Sequence, residues 1–347
     1  MHNENNYYYL LFTNLMPLHS TVSEIDLHQW NELVDKSSTA SFFQTPDCYN
    51  FYTSLSFLEP FVYGVSEEGV LKGVVCGYVI ADGNAMKRFF SRRAIIPGGL
   101  LLDNDISADA LKSLLNHLEQ ELSRRAIYIE VRNYSDYSVF KSVFKSASFI
   151  YQSHLNFHVA ITDVDSALKQ LNSTKRRDVK LSRKEGAEWL EATEPDDVKS
   201  YYKLLQHLYK TKIKTPLFPL EFFEKIVQSR YGKLFIIKYQ GDVIGGSVCV
   251  LLPGRTVYEW FVCGLDGRIK NVYPSTVATW AGIEYAASNG FTCFDMMGAG
   301  KPEEGYGVRE FKSKFGGQLV EHGRFLYVSK PRLYALGRYI IKKLKSK

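Results

Sequence analysis

The strongest constraint on the fold is an internal repeat. Segments of the first half recur in the second half at an offset of about 170 residues. The paired segments are LKGVVCGYV with VIGGSVCVL, IYIEVRN with TCFDMMG, and VFKSVFKSASF with VREFKSKFGGQ. By hydrophobic periodicity, each half runs from an antiparallel hairpin through strand, helix, strand, helix and strand. A duplicated α+β unit leaves this pattern, so the sequence predicts two similar domains with a site between them.

The expected division of the chain follows the repeat. We place a first domain over residues 1–160, a second domain that carries the site over 161–329, and a tail over 330–347. Seven cations and no acid lie in the tail, and since the whole chain has a net charge of +6, the rest sums to about −1. Its apolar positions predict a basic amphipathic helix that packs on the first domain. Contact with an anionic membrane surface is the alternative.

Composition disfavours several classes of protein. The five cysteines form no CxxC pair and the eight histidines form no HExxH motif, so we expect no metal and a reducing compartment. No apolar run approaches the roughly 20 residues that span a bilayer, and the opening YYYLLFTNLM lacks the basic start of a secretory signal. We therefore expect a cytoplasmic protein, at the inner face of the membrane if the tail binds lipid. Incomplete phosphate loops and the missing GxSxG motif disfavour kinases, dehydrogenases and serine hydrolases.

The candidate chemistry lies in FTCFDMMGAGKPEEGYGVREFKSKFGG, residues 291–317. An apolar run over 291–297 with one acid, Asp295, breaks at glycines, which predicts a buried strand that ends in a turn. After a second pair of glycines, helical spacing returns. The pattern brings together Asp295, Arg309 and Lys312. Such a carboxylate can take a proton from an attacking amine, while the cation and backbone N–H groups at the strand end can offset the charge of an oxyanion.

Each of these residues also has a structural interpretation. Asp295 can cap the next turn or pair with a cation, and Lys312 can be a solvated surface lysine. Glu259, which strand alternation places on the face opposite Tyr258, is a second candidate base.

Aromatic and basic residues are candidates for substrate contact. The aromatic candidates, which the hydrophobic core would explain equally, are Tyr258, Trp260 and Tyr273. A basic segment, STKRRDVKLSRKEG, either begins a solvated helix or binds phosphate, because arginine forks and helix N-termini both favour anions. Its candidate residues are Lys175, Arg176, Arg177, Lys180 and Arg183.

The order of elements resembles the GNAT acyltransferase fold, and its detail resembles the Fem family of peptidoglycan-bridge aminoacyl transferases. The segments that carry the resemblance are SFFQTPDCYNF, STKRRDVKLSRKEG, GDVIGGSVCV, VYPSTVATWAGIEYA, and FDMMGAG followed by VREFKSKFGG. The resemblance implies an α+β protein of two tandem GNAT-like domains. Each domain would be a mixed, mostly antiparallel sheet flanked by helices.

The resemblance also implies a reaction and its substrates. An acyl or aminoacyl group would move from a carrier to an amine of a nucleotide- or lipid-linked cell-wall or glycan precursor, with no tightly bound cofactor. The carrier is aminoacyl-tRNA in the Fem branch and acyl-CoA in related branches. Phe311 and Lys312 match the site pair of the family, and the basic segment matches one that holds acceptor phosphates. Where the family has a lysine that grips a phosphate, this chain has Asn50 or Tyr52.

Two other functions fit the same sequence. The chain can be an acyl-CoA-dependent N-acyltransferase that acts on an amino sugar of a surface polysaccharide. It can also be a catalytically idle duplicate that binds tRNA or glycan.

Overall fold

The computed structural model describes residues 19–22, 24–83, 90–305 and 307–345. These residues form two mixed β-sheets, one of eight strands and one of seven, with helices packed around them. The predicted α+β architecture of two sheet-and-helix units is confirmed.

The first sheet has the strand order β1-β2-β3-β4-β6-β15-β7, with β5 paired to β3. Its strands are β1 (His19–Val22), β2 (Glu59–Glu67), β3 (Val70–Ile80), β4 (Arg93–Gly98), β5 (Leu101–Leu102), β6 (Tyr128–Asn133), β7 (Ile150–Gln152) and β15 (Arg324–Val328). The helices of this half are α1 (Leu27–Lys36), α2 (Pro46–Ser54), α3 (Ala108–Leu122) and α4 (Lys141–Ser146).

The second sheet has the order β14-β8-β13-β12-β11-β10-β9. Its strands are β8 (Leu155–Ala160), β9 (Glu188–Glu191), β10 (Gly232–Tyr239), β11 (Asp242–Leu252), β12 (Thr256–Gly264), β13 (Cys293–Asp295) and β14 (Gln318–Glu321). The remaining helices are α5 (Val164–Gln170), α6 (Ser173–Lys184), α7 (Pro195–Leu208), α8 (Leu220–Gln228), α9 (Pro274–Ser288), α10 (Gly307–Ser313) and α11 (Pro331–Lys345), with a π-helical turn at Tyr209–Ile213.

The two sheets repeat one topology. Read from opposite ends, β1, β2, β3, β4, β6, β15 and β7 correspond to β9, β10, β11, β12, β13, β8 and β14. In both sheets one parallel pair, β4 with β6 or β12 with β13, lies among antiparallel neighbours. The internal repeat in the sequence therefore reflects a repeated fold.

Two strands are exchanged between the halves. The strand β8 lies in the second sheet, although the division at residue 160 assigns it to the first domain. The strand β15 lies in the first sheet, although it precedes residue 329. The boundaries at 160 and 329 remain a proposed division of the chain, and the exchange ties both halves together twice.

A common hydrophobic core joins the halves. It contains Phe42, Phe43 and Phe51 from the first half and Phe222 and Tyr258 from the second. A second cluster lies under α3, where Leu111, Leu114, Leu115, Leu118 and Leu122 form one buried stripe behind the cap that Ser107 provides. A third cluster lies under α9. The clusters under α3 and α9 are separate from the common core.

The tail begins as a helix against the first half. The ring of Tyr334 on α11 packs edge-on against Tyr128 on β6, with centroids 5.3 Å apart. The side chains of Leu336, Tyr339 and Ile340 on the same helix are exposed. Within the described residues, none of the helices combines the length and apolar character needed to cross a bilayer.

Candidate active site

The second sheet opens where β12 and β13 part. These parallel strands pair at only three positions, the last joining Tyr258 to Asp295. Beyond that position β12 bulges, because Trp260 has no partner on β11. The segment that follows β13 turns away from β12 through Met297 (φ 52°) and Gly298 (φ 97°). The strand predicted over 291–297 is therefore shorter than expected, because backbone with positive φ cannot continue a strand.

The helix α10 holds the loop after β13 by its carbonyl groups. The Lys312 ammonium donates to the carbonyl oxygen of Met296 and, at 2.9 Å, to that of Gly298. The Arg309 guanidinium donates to three further carbonyls; these belong to Ala299, Lys301 and Pro302. The predicted proximity of Arg309 and Lys312 to the glycine loop is thus what the structure shows.

The backbone N–H groups of this loop are already occupied. Their acceptors are Phe157 O for Met296, Asp295 Oδ1 for Met297, Asn156 Oδ1 for Gly298 and Leu155 O for Ala299, at 2.7–3.0 Å. The prediction that backbone N–H groups at the strand end face an oxyanion is therefore wrong for these four amides. Strand β8, which the exchange inserts beside β13, supplies three of the four acceptors.

Asp295 is buried, and three protein groups contact its carboxylate. Its Oδ1 accepts hydrogen bonds from Asn156 Nδ2 and Met297 N at 2.7 Å each. Its Oδ2 lies 3.2 Å from His158 Nε2. Burial alone would lower the pKa of His158, but the hydrogen bond and charge of Asp295 raise it above its ordinary value. Asp295 thus both caps the turn at Met297 and pairs with His158, as its structural interpretation predicts.

Sequence reasoning missed Asn156 and His158. Both lie on β8, two positions apart, so they point to the same face of the strand. The signal was present in HLNFHVAI, where His154, Asn156 and His158 interrupt an apolar strand at alternate positions.

Lys312 and Glu259 form a second buried set beneath the loop. Lys312 is 6% exposed. Burial lowers the pKa of Lys312, although the negative charges of Glu259 and Asp295 act to raise it. Burial raises the pKa of Glu259, whose two carboxylate oxygens have no hydrogen-bond partner among the described residues. Glu259 is paired with Cys249 on the face of the sheet opposite Tyr258, as alternation predicts. Lys312 is therefore an interior cation, and the solvated-surface interpretation is excluded.

The three aromatic candidates lie in different parts of the structure. Tyr258 is buried in the common core beside Phe43. The Trp260 ring packs on Phe43 and Phe222 at 4.9 Å, and its side chain lines the large cleft. Tyr273 lies at the start of α9, where its N–H donates to Ser182 Oγ on α6.

The basic candidates on α6 also lie in different surroundings. Lys175 is buried, donates to Thr276 Oγ1 at 2.6 Å and lies 4.1 Å from the centre of the Phe311 ring. Burial lowers the pKa of Lys175. Arg183 pairs with Glu284 at 2.5 Å. A shallow groove of about 330 Å³ on the outer side of α6 is lined by Arg176, Arg177, Lys180 and neighbouring residues, and none of these side chains lines the large cleft.

The large cleft lies between the halves and has a volume of about 740 Å³. The first sheet contributes one wall, and the bulged strand β12, the loop after β13, the segment around Phe218 and helix α11 contribute the others. Met297 and Gly298, which Lys312 holds in place, reach the cleft, whereas Lys312 and Asp295 lie behind them. Tyr52 is fully buried away from the cleft, so it does not replace a phosphate-binding lysine.

Charged side chains on the first sheet line the cleft. Arg93 forms two hydrogen bonds with Asp82, at 2.6 and 3.3 Å. Glu130 accepts from both Arg132 and Arg324. Among the residues that the structure describes, no cluster of three or more His, Cys, Asp or Glu side chains could hold a metal ion.

The second half matches a known domain. Residues 169–313, which include α6, the bulged strand, α9 and all of α10, match the model of an acetyltransferase (GNAT) domain. No curated protein matches the chain in sequence.

Solved structures extend the likeness to both halves. FemX is 14% identical with a TM-score of 0.69, over 91% of this chain and 99% of FemX. A tandem GNAT protein from the clavulanic acid biosynthesis pathway is 9% identical with a TM-score of 0.58, over 90% and 98%. The C-terminal domain of a putative lysylphosphatidylglycerol synthetase from Agrobacterium fabrum is 13% identical with a TM-score of 0.54, over 91% and 96%. The expected fold of two tandem GNAT-like units is confirmed.

Proposed function

We propose, from the premise that this chain is a protein of the tandem GNAT fold, that it is an acyltransferase that moves an aminoacyl or acyl group to an amine of a cell-wall or surface-glycan precursor. One observation carries the proposal: the sheet of the second half opens beside a loop that Lys312 and Arg309 fix, and this loop forms part of a cleft of about 740 Å³. A cleft of that size suits a sugar or short peptide acceptor. FemX has the same two-domain fold.

The reaction needs a nucleophile, an oxyanion site and a proton acceptor. The acceptor amine attacks the carbonyl carbon of the carrier ester or thioester, a C–N bond forms, and the bond to the carrier oxygen or sulfur breaks. The amine proton passes to a water in the cleft, or through such a water to Asp295 behind the loop, and then to the leaving group. Asp295 already accepts three hydrogen bonds, so it also acts as a positioning residue for Asn156 and the loop.

Lys312 is the proposed stabiliser of the oxyanion. An ammonium has three protons, and two of them are used on the carbonyls of Met296 and Gly298. Because Lys312 lies behind Met297 and Gly298, its charge acts on the developing negative charge across the loop, in a buried setting where such an interaction is strong. Glu259 is the alternative base in this proposal, on the face of β12 opposite Tyr258.

The donor side is proposed to lie along α6, α9 and α10. The ring of Phe311 covers the Lys175 ammonium there, and the exposed cations of the α6 groove continue outward. That groove suits the phosphates of a tRNA better than those of an acceptor in the cleft, because its side chains face away from the cleft. Arg309 binds the loop carbonyls and would order the donor loop without contacting the donor.

The acyl-CoA alternative is favoured by the acetyltransferase domain match over residues 169–313. At the start of α9, however, the carboxylate of Asp266 accepts the N–H of Ser275 at 3.2 Å. A negative charge there opposes a pyrophosphate at this helix N-terminus. The geometry thus supports an aminoacyl carrier more than CoA.

Helix α11 is the proposed membrane contact. Its Leu333 and Tyr334 line the cleft, while Leu336, Tyr339 and Ile340 are exposed beside several cations. An exposed apolar strip with flanking cations favours an anionic lipid surface. A lipid-linked acceptor would then enter the cleft along this helix.

The test is a transfer assay with both classes of donor. Purified protein is incubated with labelled aminoacyl-tRNA or labelled acyl-CoA, and with an amine-bearing muropeptide or amino sugar as the acceptor. The donor from which transfer occurs decides between an aminoacyl-tRNA-dependent and an acyl-CoA-dependent transferase. Transfer that persists unchanged in a Lys312→Ala, Asp295→Ala double variant would remove the roles assigned here, and salt-sensitive tRNA binding without any transfer would favour an idle binder.

A further inference from the structure

Two arginines face each other on the cleft side of the first sheet. Arg132 on β6 and Arg324 on β15 are direct cross-strand partners in an antiparallel pair. Like charges in that position destabilise a sheet. Their neighbours Val131 and Phe325 point to the opposite face and fill the core under α3, so alternation directs both arginines into the cleft. Within the described part of the chain, Glu130 is the one carboxylate that pairs with either arginine.

The hydrogen bonds of this cluster leave donors unused. Arg132 donates from Nε and Nη2 to one Glu130 oxygen, at 3.1 and 2.9 Å. Arg324 donates from Nη1 to the other oxygen at 2.5 Å, and its Nη2 lies 2.9 Å from Nε2 of His154. Arg132 Nη1 and Arg324 Nε make no hydrogen bond to the described residues. The Arg132 and Arg324 side chains are 32% and 27% exposed, and both line the cleft.

The charges do not balance. Burial alone would raise the pKa of Glu130, but the charges of Arg132 and Arg324 lower it to about 2, so it carries one negative charge at neutral pH. Burial and the charge of Arg324 lower the pKa of His154 to about 4, so the imidazole is neutral. One positive charge therefore remains. Arg93 in the same cleft differs, because Asp82 fully matches it.

We propose that Arg132 and Arg324 form an oxyanion-binding subsite that recognises a carboxylate or phosphate group of the acceptor. Arg132 Nη1 and Arg324 Nε are the donors, and guanidinium forks match both kinds of oxyanion. This inference rests on the proposed function, because it takes the cleft as the acceptor site. It makes the acceptor an anionic molecule whose reactive amine lies elsewhere, toward the loop that Lys312 holds.

The test measures binding without any donor, by calorimetric titration of the full chain. The probes are N-acetylglucosamine, N-acetylglucosamine 1-phosphate and N-acetylmuramic acid, which share one sugar ring and are neutral, phosphorylated and carboxylated. Wild-type protein should bind at least one anionic probe about tenfold more tightly than the neutral sugar, as charge-assisted hydrogen bonds allow. The preferred anion identifies the source of the group.

Three variants and one control decide the assignment. R132Q and R324Q should each lose most of the preference for the anion. E130Q should increase that preference, because it releases both guanidinium groups, an effect that a purely structural role would not produce. The double variant D82N/R93Q removes a matched ion pair from the same cleft and should leave the preference unchanged. If a glutamine variant does not fold, R132K or R324K replaces it, with a smaller loss of preference expected.

The inference is overturned if the wild-type protein binds no probe or shows no preference for an anion. It is also overturned if R132Q and R324Q keep the preference, or if folded E130Q loses it. Transfer is assayed separately, so an anion preference without transfer would refute the proposed function alone. Transfer without an anion preference would refute this subsite alone.

Discussion

The two parallel strand pairs of this molecule have the same place in their sheets but different lengths. In the first half, β4 and β6 pair at five positions, from Ala94 with Ile129 to Gly98 with Asn133. In the second half, β12 and β13 pair at three positions and then separate. The first sheet stays paired where the second one parts, so in the described part of the chain the repeated fold contains this opening only once.

The helices that follow show the same difference. In the first half, α4 places Phe144 in the core, stacked on Phe325 with ring centroids 3.8 Å apart. In the second half, α10 places the Lys312 ammonium in the interior, against backbone carbonyls. An aromatic stack needs no solvent or ligand, whereas a buried cation keeps a loop in one conformation and one donor free. At corresponding places of the repeated fold, the first half thus has an aromatic stack and the second half a buried cation.

Replacing Lys312 should have the largest effect on this difference. Lys312→Met leaves two carbonyls without their donor and the Glu259 carboxylate without a nearby cation. Transfer should fall by about 100-fold or more, and the free energy of unfolding by about 3 kcal/mol. Activity assays and urea unfolding provide the measurements.

The matched control for that variant is Lys314→Met. Lys314 is on the same short segment and pairs with Glu310 at 2.8 Å in the solvent. Its replacement should leave transfer and the melting temperature nearly unchanged. Equal losses in both variants would contradict the special role of the buried lysine.

Making the loop stiffer should have the next largest effect. Gly298 has a φ of 97°, and a Cβ added there would meet no atom within 4 Å. Gly305 in the same loop has equal room for a Cβ but lacks the positive φ. Gly298→Ala should cost about 1 kcal/mol of stability, since a Cβ is strained at positive φ, and should reduce transfer. Gly305→Ala is the control, and chemical unfolding of both should separate strain from bulk. Similar behaviour of both would show that the turn at Gly298 does not limit the opening of the sheet.

The two sheets should respond to pH in opposite windows. The raised pKa of His158 means that its pairing with Asp295 stabilises the folded state fully below the unfolded pKa of about 6.5, and that this contribution is lost as pH rises through the folded pKa. For Glu130, with its pKa lowered to about 2, the contribution is present above the unfolded value and is lost as pH falls toward 2. Unfolding free energies of His158→Gln and Glu130→Gln against pH, relative to wild type, should show these two windows. A His158→Gln difference that grows at alkaline pH would contradict the assignment.

The smallest effect is expected in the α6 groove. If the donor is a tRNA, Arg177→Gln and Lys180→Gln should each reduce the slope of log affinity against log salt by about 1. Lys199→Gln, an exposed cation on α7, is the control and should leave the slope unchanged. Filter binding across a series of salt concentrations measures the slopes, and identical slopes in all variants would place the donor elsewhere.

Much of the fold could be predicted because the signals are local. The hairpins, the stripe of α3 and the glycine breaks around residues 298–307 depend on neighbouring residues, and the repeat then implied two units of one fold. The nearness of Asp295, Arg309 and Lys312 followed from a short loop. The partners of Asp295 could not be predicted, because Asn156 and His158 reach it only through the exchange of β8.

The sequence by itself determined the duplicated topology, the position of the loop and the helix behind it, since hydrophobic period and glycine placement act within a few turns of chain. The tertiary structure decided which charges are buried, which acceptors occupy the loop amides and which side chains share the cleft. Arg132 and Arg324 are 192 residues apart in the chain and become neighbours only by strand pairing. Their electrostatic relation is a property of the sheet, because Coulomb interactions depend on distance in space and on burial.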